Sequence, residues 1–325
     1  MPLDDLDRAL LHALHLDPRA PFIQIAEVLG TSQQTVARRY RRLCAEGVLR
    51  VVGMTDARRL GQVEWFVRLR CTPDAALKVA TALARRTDTS WVRLTSGGTE
   101  IVCLTRAAHA PDALLLQQLP KTPRVVSVSA HCLLRTFVGG PVAWAGRAAT
   151  LSAEQAARLT PAPEPVDDQP VDVSGDEPLL ALLRQDGRAT FAELAEATGM
   201  AEATVRRRVH QLRRSGVLYL DLDIDPVPLG FHTQALLWLS VHPTRLVAVA
   251  EGLAGQPEVA FVAATTGQTN LLANVICRDV DALYTYLTDR IGRIEAIGHI
   301  ETAPVIRTLK RAAPSRDARV PLPGS

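Results

Sequence analysis

Residues 32–49 read SQQTVARRYRRLCAEGVL, and residues 201–218 read AEATVRRRVHQLRRSGVL. The second run repeats the first 169 positions later, so that Thr35-Val36 aligns with Thr204-Val205. In each copy apolar residues recur at i, i+4 and i+7, which predicts one buried stripe along a helix. The repeat therefore predicts two copies of the same helical unit.

Both copies carry arginines outside the apolar stripe, where they can face solvent together. They are Arg38, Arg39, Arg41 and Arg42 in the first copy and Arg206, Arg207, Arg208, Arg213 and Arg214 in the second. A helix that lies against DNA phosphates needs such a basic face. One basic face alone is equally typical of a solvated surface helix, but two copies at a constant offset favour nucleic-acid binding.

Shorter helical segments precede each basic helix. In the first half, a helical pattern ends at Asp17-Pro18, because the residue before proline avoids the α region. A second helix is predicted from Phe22 to Leu29, and it ends before Gly30. Ser32 is then well placed to cap the basic helix. This order predicts a helix-turn-helix, whose last helix enters the major groove with its N-terminal residues at base edges.

The composition is that of a multidomain globular protein. The chain has 325 residues, of which 47% are hydrophobic and 22% charged, and its formal net charge is +3. Single cores rarely exceed roughly 250 to 300 residues, so two to four units are expected. The five cysteines form no zinc-like spacing, and we interpret them as small buried hydrophobes. The acidic start lacks the features of a signal peptide, which predicts a cytoplasmic protein.

The periodicity changes after each helix-turn-helix. A short β-rich run from Val48 to Val52 predicts a wing, with Arg50, Arg58 and Arg59 within reach of phosphates. From Val63 onward, strands and helices follow the order β-α-β-β-α-β of a ferredoxin-like plait, including a helix predicted over residues 111–119, and the order repeats from Thr233.

The predicted fold is therefore α+β, with two winged helix-turn-helix domains and two ferredoxin-like β-α-β-β-α-β domains in tandem. The predicted boundaries are 1–60 for the first winged helix-turn-helix, 61–138 for the first ferredoxin-like domain, 139–175 for a linker with a short helix, 176–230 for the second winged helix-turn-helix, 231–312 for the second ferredoxin-like domain and 313–325 for a disordered tail.

Acidic residues alternate along the strand that follows the second basic helix. Asp221, Asp223 and Asp225 share one face of it. We interpret this face as the exposed polar side of a half-buried strand rather than as an acidic functional site.

The doubled order of helix-turn-helix, wing and plait resembles a tandem member of the Lrp/AsnC (feast/famine) family of bacterial and archaeal transcription regulators. The residues that carry the resemblance are Leu6-Asp7, Asp17-Pro18-Arg19-Ala20, Ala26, Gly30, Thr35-Val36, Arg38-Arg39, Leu43 and Gly47-Val48-Leu49 in the first half, and Asp186-Gly187-Arg188-Ala189, Leu194-Ala195, Gly199, Thr204-Val205, Arg207-Arg208, Leu212, Gly216-Val217-Leu218, Leu229-Gly230 and Thr266-Gly267 in the second. The resemblance covers nearly the whole chain outside the linker and the tail.

The resemblance also implies an effector site. In that family the plait (RAM) domain pairs with another plait and binds small effectors, usually amino acids, close to a Thr-Gly-x-x-Asp-like loop. The residues implied here are Thr265, Thr266, Gly267, Gln268, Thr269 and Asn270, and more weakly Thr95, Ser96, Gly97, Gly98, Thr99 and Glu100. A glycine there lets main-chain N–H groups approach a carboxylate, while hydroxyls and the Asn270 amide offer hydrogen bonds. An ordinary β-turn between two strands is the alternative.

The predicted function is that of a sequence-specific regulator of double-stranded DNA, modulated by a small effector such as an amino acid. Candidate DNA-binding residues are Ser32, Gln33, Gln34, Thr35, Arg38, Arg39, Arg42, Thr204, Arg207 and Arg208. The second unit has Ala201-Glu202 in place of Ser32-Gln33, which predicts a weaker or differently specific reader. Homo-oligomers are implied by the resemblance, and no cofactor, metal or membrane is expected.

Two other functions remain open. Siroheme decarboxylases resemble this architecture, but they rely on histidine- and arginine-rich motifs in the plait, and His232, His242 and His299 are isolated here. No paired carboxylates or nucleophile-base set is evident either, so a non-enzyme is predicted. A sensor that has lost DNA binding is the third possibility, which the intact first helix-turn-helix disfavours.

Overall fold

The computed structural model describes residues 3–107, 119–139, 150–162 and 171–312. The helices of these residues are α1 (Asp5–Leu16), α2 (Phe22–Leu29), α3 (Gln33–Ala45), α4 (Pro73–Arg85), α5 (Ala153–Leu159), α6 (Glu177–Gln185), α7 (Phe191–Thr198), α8 (Glu202–Arg214), α9 (Leu246–Ala254) and α10 (Val280–Asp289). The strands are β1 (Leu49–Thr55), β2 (Val63–Cys71), β3 (Thr89–Thr95), β4 (Glu100–Ala107), β5 (Val125–Val138), β6 (Leu218–Ile224), β7 (Thr233–Val241), β8 (Val259–Thr265), β9 (Leu271–Cys277) and β10 (Ile297–Thr308).

Helices α1 to α3 form the first helix-turn-helix, and side-chain caps set where they begin. Asp4 and Asp7 form a capping box at the start of α1. Gly30 ends α2 with a φ of 64°, a conformation that glycine adopts at little cost. The Ser32 hydroxyl then accepts a hydrogen bond from the Thr35 N–H at 3.1 Å, which confirms the predicted cap of α3.

Helices α6 to α8 repeat this arrangement with one difference. Thr190 caps α7, and Gly199 ends it with a φ of 71°. Ala201 provides no side-chain cap for α8, as its sequence predicts. The apolar stripe of α8 is buried in the core of this unit, as the stripe of α3 is in the first.

The strands that follow the two basic helices pair with each other. β1 and β6 run antiparallel, with Val51 opposite Leu222 and Gly53 opposite Leu220. The sequence predicts a wing in each half, but it does not predict that each is the partner of the other. We call this two-stranded sheet the ribbon; it connects the two helix-turn-helix units directly.

Reciprocal arginine contacts also hold the two halves together. Arg19 donates a hydrogen bond to the Ala189 carbonyl at 2.7 Å, and its guanidinium lies 4.9 Å from the ring centre of Phe191. Its counterpart 169 positions later, Arg188, lies 4.4 Å from the ring centre of Phe22. Such cation–π contacts stabilise a partly desolvated interface. The two units therefore meet like the subunits of a symmetric dimer, within one chain.

The remaining eight strands close into one barrel, in the order β10-β3-β4-β2-β5-β8-β9-β7. Each plait contributes four strands, and the plaits join where β5 pairs with β8 and β10 pairs with β3. The pairing of plait with plait, which the family resemblance implies, therefore occurs inside the chain. The barrel encloses an apolar cluster that consists of Phe66, Val102, Leu104, Leu236, Trp238, Leu272 and Ala303.

The predicted linker helix is present as α5, and it packs on the first helix-turn-helix. Ser152 and Gln155 form its capping box. Leu159 is buried in the core of the first unit, and Gln155 donates to the Val28 carbonyl at 3.0 Å. The helix predicted over residues 111–119 lies outside the described residues except for Leu119, and the predicted tail lies entirely outside them. No described helix has the length and apolarity needed to cross a membrane.

The prediction of an exposed acidic face on β6 is wrong. Asp223 is only 5% exposed, and it receives a hydrogen bond from Arg50 at 2.8 Å. Arg311 lies 3.2 Å from Asp225 and 3.8 Å from Asp223. The reason is tertiary: β6 pairs with β1, and this face of the ribbon lies toward the barrel instead of solvent. Arg50 is thereby drawn into an ion pair and away from the predicted phosphate contact.

Candidate nucleic-acid interface and internal cavity

Two of the arginines predicted to hold phosphates instead bind a buried carboxylate. Asp7 is 1% exposed, and its two oxygens accept hydrogen bonds from Arg39 at 2.8 Å and Arg42 at 2.6 Å. Asp4 also accepts from Arg39, and this hydrogen bond lowers the pKa of the Asp4 carboxyl and raises the pKa of Arg39. These contacts fix α3 on the start of α1, so we assign Arg39 and Arg42 to positioning the helix.

The second helix-turn-helix contains the same ion pair at the repeat offset. Asp176 lies 169 positions after Asp7, and it accepts from the Nε of Arg208, the counterpart of Arg39, at 2.9 Å. The hydrogen bond that Arg208 donates to Asp176 raises the pKa of Arg208. The repeated aspartate was the sequence signal for this pairing. Sequence reasoning missed it because it treated every arginine outside the stripe as free.

Two other arginines remain available to contact DNA phosphates. Arg38 and its counterpart Arg207 are exposed, and neither forms an ion pair with any residue that the structure describes. On the first recognition helix, Gln33 and Gln34 are also exposed at the N-terminus. The Ser32 hydroxyl caps α3 by accepting from the Thr35 N–H, and it also forms a hydrogen bond with the Thr35 hydroxyl at 2.9 Å. The outward-facing set of α3 is therefore Gln33, Gln34 and Arg38, with Arg41 beside them.

The recognition helix of the second unit has a different charge balance at its start. Glu202 accepts a hydrogen bond from Arg206 at 2.8 Å, four residues along α8. That pair neutralises one cation of the basic face and holds a carboxylate where the first unit has Gln33. Thr204 is half-buried beside it. Weaker DNA binding by the second helix-turn-helix therefore remains a prediction.

The loop from residue 265 to 270, the stronger effector candidate, uses its side chains to hold the fold. Asn270 accepts from the Val241 N–H at 2.9 Å and donates to the Val241 carbonyl at 2.8 Å. The Thr266 hydroxyl accepts from the Cys132 N–H at 2.9 Å, and the Thr265 hydroxyl donates to the Thr269 carbonyl at 3.2 Å. These contacts tie the ends of neighbouring strands and favour the interpretation as a structural turn.

The equivalent loop of the first plait, residues 95–100, belongs to a buried ion network. Glu100 is 2% exposed and accepts from Arg68 at 2.7 Å and from the Thr95 hydroxyl at 3.0 Å. Arg68 also binds Glu301 of the second plait, and its guanidinium lies 4.5 Å from the ring centre of Trp238. Gly97 and Gly98 form the turn with positive φ angles. This network joins the two plaits across the barrel.

A cavity of about 450 Å³ lies between the barrel and the ribbon. Its lining includes Phe66, Trp91, Arg93, Leu104, Arg106, Leu133, Leu236 and Phe261 from the barrel and Met54, Thr55, Tyr219 and Asp221 from the ribbon. Ligand sites in proteins typically have volumes of roughly 300 to 1,000 Å³ and mostly apolar walls with a few polar groups. No pattern in the sequence indicates this cavity, because its walls come from elements far apart along the chain.

Arg93 is a buried cation in the wall of this cavity. It is 6% exposed, its Nε has no hydrogen-bond acceptor, and the described residues offer its guanidinium no carboxylate partner. Burial, with a smaller contribution from the nearby Arg311, lowers the pKa of Arg93 to about 10, while the negative charge of Asp223 opposes this shift. The guanidinium lies 5.1 Å from the ring centre of Trp91. By contrast, Arg106 in the same wall is bound by Glu64 at 2.8 Å and by the Thr55 hydroxyl at 2.9 Å.

Asp221 faces the cavity from the ribbon, also without a cationic partner in the described part of the chain. Its carboxylate accepts a hydrogen bond from the Leu222 N–H at 2.8 Å. Burial raises the pKa of Asp221 to about 6, with a smaller contribution from the negative charge of Asp223. Among the described residues that line the cavity, Arg93 and Asp221 therefore belong to no ion pair, and neither does Arg307.

Known proteins share both the parts and the whole of this architecture. The AsnC-type helix-turn-helix model matches residues 3–43 and 175–213, and the Lrp/AsnC ligand binding domain matches residues 234–314. HTH-type transcriptional regulator FL11 of Pyrococcus horikoshii is 32% identical over 136 residues, which cover 42% of this chain and 89% of that protein. Regulator Ptr1 of Methanocaldococcus jannaschii is 28% identical over 136 residues, covering 42% of this chain and 92% of that protein.

Two solved structures of the siroheme decarboxylase NirDL match nearly the entire chain. The siroheme decarboxylase NirDL has a TM-score of 0.62 and 15% identity, and the match covers 95% of this chain and 93% of that one. At that identity the likeness establishes the fold alone. The relatives from Pyrococcus and Methanocaldococcus each align with 42% of this chain, as expected if the chain contains two copies of one unit.

Proposed function

Because the chain belongs to the Lrp/AsnC family of DNA-binding transcriptional regulators, we propose that its two helix-turn-helix units bind two half-sites of one double-stranded operator under the control of a small effector. The effector class that the family resemblance implies is an amino acid. The same resemblance implies action in the cytoplasm and association of the chain into homo-oligomers.

The equivalent exposure of Arg38 and Arg207 supports this proposal most directly. These residues occupy the same position on α3 and α8, and they lie outside the ion pairs that hold each helix in place. Dimeric helix-turn-helix proteins read paired half-sites because their two recognition helices are related by symmetry. Here the ribbon and the reciprocal contacts of Arg19 and Arg188 supply that relation within one chain. Covalent linkage makes the second contact intramolecular.

We expect Arg38→Gln and Arg207→Gln each to make DNA binding less dependent on salt. Losing one phosphate contact should reduce the slope of log K against log salt concentration by about 0.9, and the double variant should lose about twice that. The measurement is fluorescence anisotropy with a duplex from upstream of the gene and a scrambled duplex, at several salt concentrations. Arg70→Gln, which removes an exposed arginine from β2 in the barrel, is the matched control and should retain the slope of the wild type.

An unchanged slope in the double variant would mean that another surface holds the phosphates. Sequence specificity is judged separately: specific binding should exceed binding to the scrambled duplex by about 10³ or more. Equal, steeply salt-dependent binding to both duplexes would contradict a specific operator in that region.

The enzyme hypothesis predicts a tetrapyrrole ligand, because the structurally similar NirDL has been solved with an iron-uroporphyrin III analogue. The arginines of the cavity would suit tetrapyrrole carboxylates. However, Arg106 and Arg311 are already bound by Glu64 and Asp225. We therefore propose that the chain is not an enzyme, in line with relatives that are named transcriptional regulators.

Absorbance in the Soret region distinguishes the two functions. On mixing the purified chain with iron-uroporphyrin, we expect the spectrum of the free pigment to remain unchanged. A shifted Soret band that saturates at one pigment per chain would favour the decarboxylase hypothesis over the regulator.

A further inference from the structure

We propose that the effector of this regulator binds in the cavity between the barrel and the ribbon, and that it is a small carboxylate with an apolar body whose carboxylate binds Arg93. The inference rests on the proposed function, because it names the site and the chemistry of the effector. It places that site away from the two glycine-containing loops, whose side chains are occupied by the fold.

Arg93 sets the charge of the ligand. A guanidinium buried without a partner costs free energy in the empty protein, because it has lost water and gained no acceptor. The planar fork of arginine binds a carboxylate through two parallel hydrogen bonds. The Arg93 Nε is fully buried without an acceptor, while the residue lies on the cavity wall. The chain offers Arg93 a negative charge only at a distance, from Asp223, so an anionic ligand would supply a hydrogen-bonded counter-charge that the described residues do not.

The two plaits line the cavity with different chemistry, which sets the shape of the ligand. Positions in the second plait follow those of the first by 170 residues, so that Phe261 corresponds to Trp91 and Ile276 corresponds to Arg106. Both members of each pair line the cavity. At these two pairs of positions the first plait provides an indole and a guanidinium where the second provides apolar side chains, while Arg307 and Arg311 of the second plait also line the cavity. One ligand with a charged end and an apolar end fits this asymmetry.

Asp221 offers a second polar contact from the ribbon side. An amino acid would bring an ammonium group toward this carboxylate, whereas the corresponding 2-oxo acid would not. Both ligands share the carboxylate that Arg93 recognises. Comparing an amino acid with its 2-oxo acid therefore decides between the two sources of that chemistry.

The cavity is also placed where a ligand can influence DNA binding. The ribbon strands β1 and β6 follow directly after the recognition helices α3 and α8, and the ribbon forms one wall of the cavity. A ligand held between barrel and ribbon thus contacts an element that connects both DNA-binding units. Typical coupling between two sites changes affinity by about 5- to 150-fold, and we expect an effect of that size on operator binding.

Calorimetric titration of the full chain without DNA tests the site. The probes are L-phenylalanine, phenylpyruvate, L-leucine and 4-methyl-2-oxopentanoate, with 2-phenylethanol as the uncharged control. We expect the wild type to bind at least one carboxylate and not the alcohol. Arg93→Gln should weaken that binding by about 10- to 150-fold, the effect of losing a charge-assisted hydrogen bond. Leu133→Trp keeps the arginine but fills the cavity, and it should abolish binding. Arg70→Gln should bind as the wild type does.

Operator binding by the same proteins separates this inference from the proposed function. Without ligand, Arg93→Gln should bind DNA as the wild type does, and the bound carboxylate should change operator affinity in the wild type only. Failure of all four carboxylates to bind at about 10 mM, or binding that survives both Arg93→Gln and Leu133→Trp, would overturn the cavity site. A wild type that binds carboxylate but no specific DNA would instead overturn the regulator function and leave the site intact.

Discussion

Replacing Asp7 by alanine is expected to lower the free energy of unfolding of the first helix-turn-helix by about 3–5 kcal/mol, the usual result of removing one partner from a buried ion pair. The Asp7 carboxylate is 1% exposed and accepts hydrogen bonds from both Arg39 and Arg42. Without it, two guanidinium groups remain between α1 and α3 with no buried counter-charge. Urea denaturation followed by far-ultraviolet circular dichroism measures the loss.

Asp5→Ala is the matched control for that experiment. It removes a carboxylate from the same turn of α1, but Asp5 is exposed, so a change of no more than about 0.5 kcal/mol is expected. Asp176→Ala should reproduce the large effect in the second half, because Asp176 holds Arg208 in the same way. If Asp7→Ala were as stable as the wild type, Arg39 and Arg42 would be free to contact phosphates, as the sequence alone predicts.

The elements of the fold could be predicted from the sequence wherever local periodicity decides them. The predicted helix from Phe22 to Leu29 agrees with α2 residue for residue, because it is a short helical run that Gly30 ends. The predicted cap at Ser32 is confirmed, because a cap depends on residues within four positions. The constant offset of the repeat then extended each local prediction to the other half.

Contacts between elements that lie far apart along the chain could not be predicted from the sequence. The pairing of β1 with β6 joins residues about 170 positions apart, and it turns the acidic face of β6 inward. The partners of Arg39 and Arg208 lie more than 30 positions away. The cavity depends on all of these contacts at once, so no local pattern marks Arg93 or Asp221. The same limit applies to the predicted DNA-binding residues. Periodicity identifies the outward face of a helix, but it does not identify which cations on that face have buried partners.

Asp221→Asn is expected to stabilise the protein at neutral pH by up to about 3 kcal/mol. Burial raises the pKa of the Asp221 carboxyl from 3.8 to about 6 in the folded protein. The folded state therefore binds this proton more tightly than the unfolded state, and the stability it contributes is lost as the pH rises from about 4 to 6. A shift of roughly two units at about 1.4 kcal/mol per unit gives the stated limit. Asparagine carries no charge and avoids this cost.

The difference in free energy of unfolding between Asp221→Asn and the wild type should accordingly depend on pH, because only the wild type has a carboxyl group that ionises at this position. It should be near zero below about pH 4, rise through the interval to about pH 6, and remain constant above it. Urea denaturation at a series of pH values measures it, and Asp5→Asn, which alters an exposed carboxylate, should give a difference that stays small throughout. A pH-independent difference for Asp221→Asn would show that solvent reaches this carboxylate freely. The expected rise would instead mean that the empty cavity retains a group that destabilises the fold, which is the usual cost of a site built for a ligand.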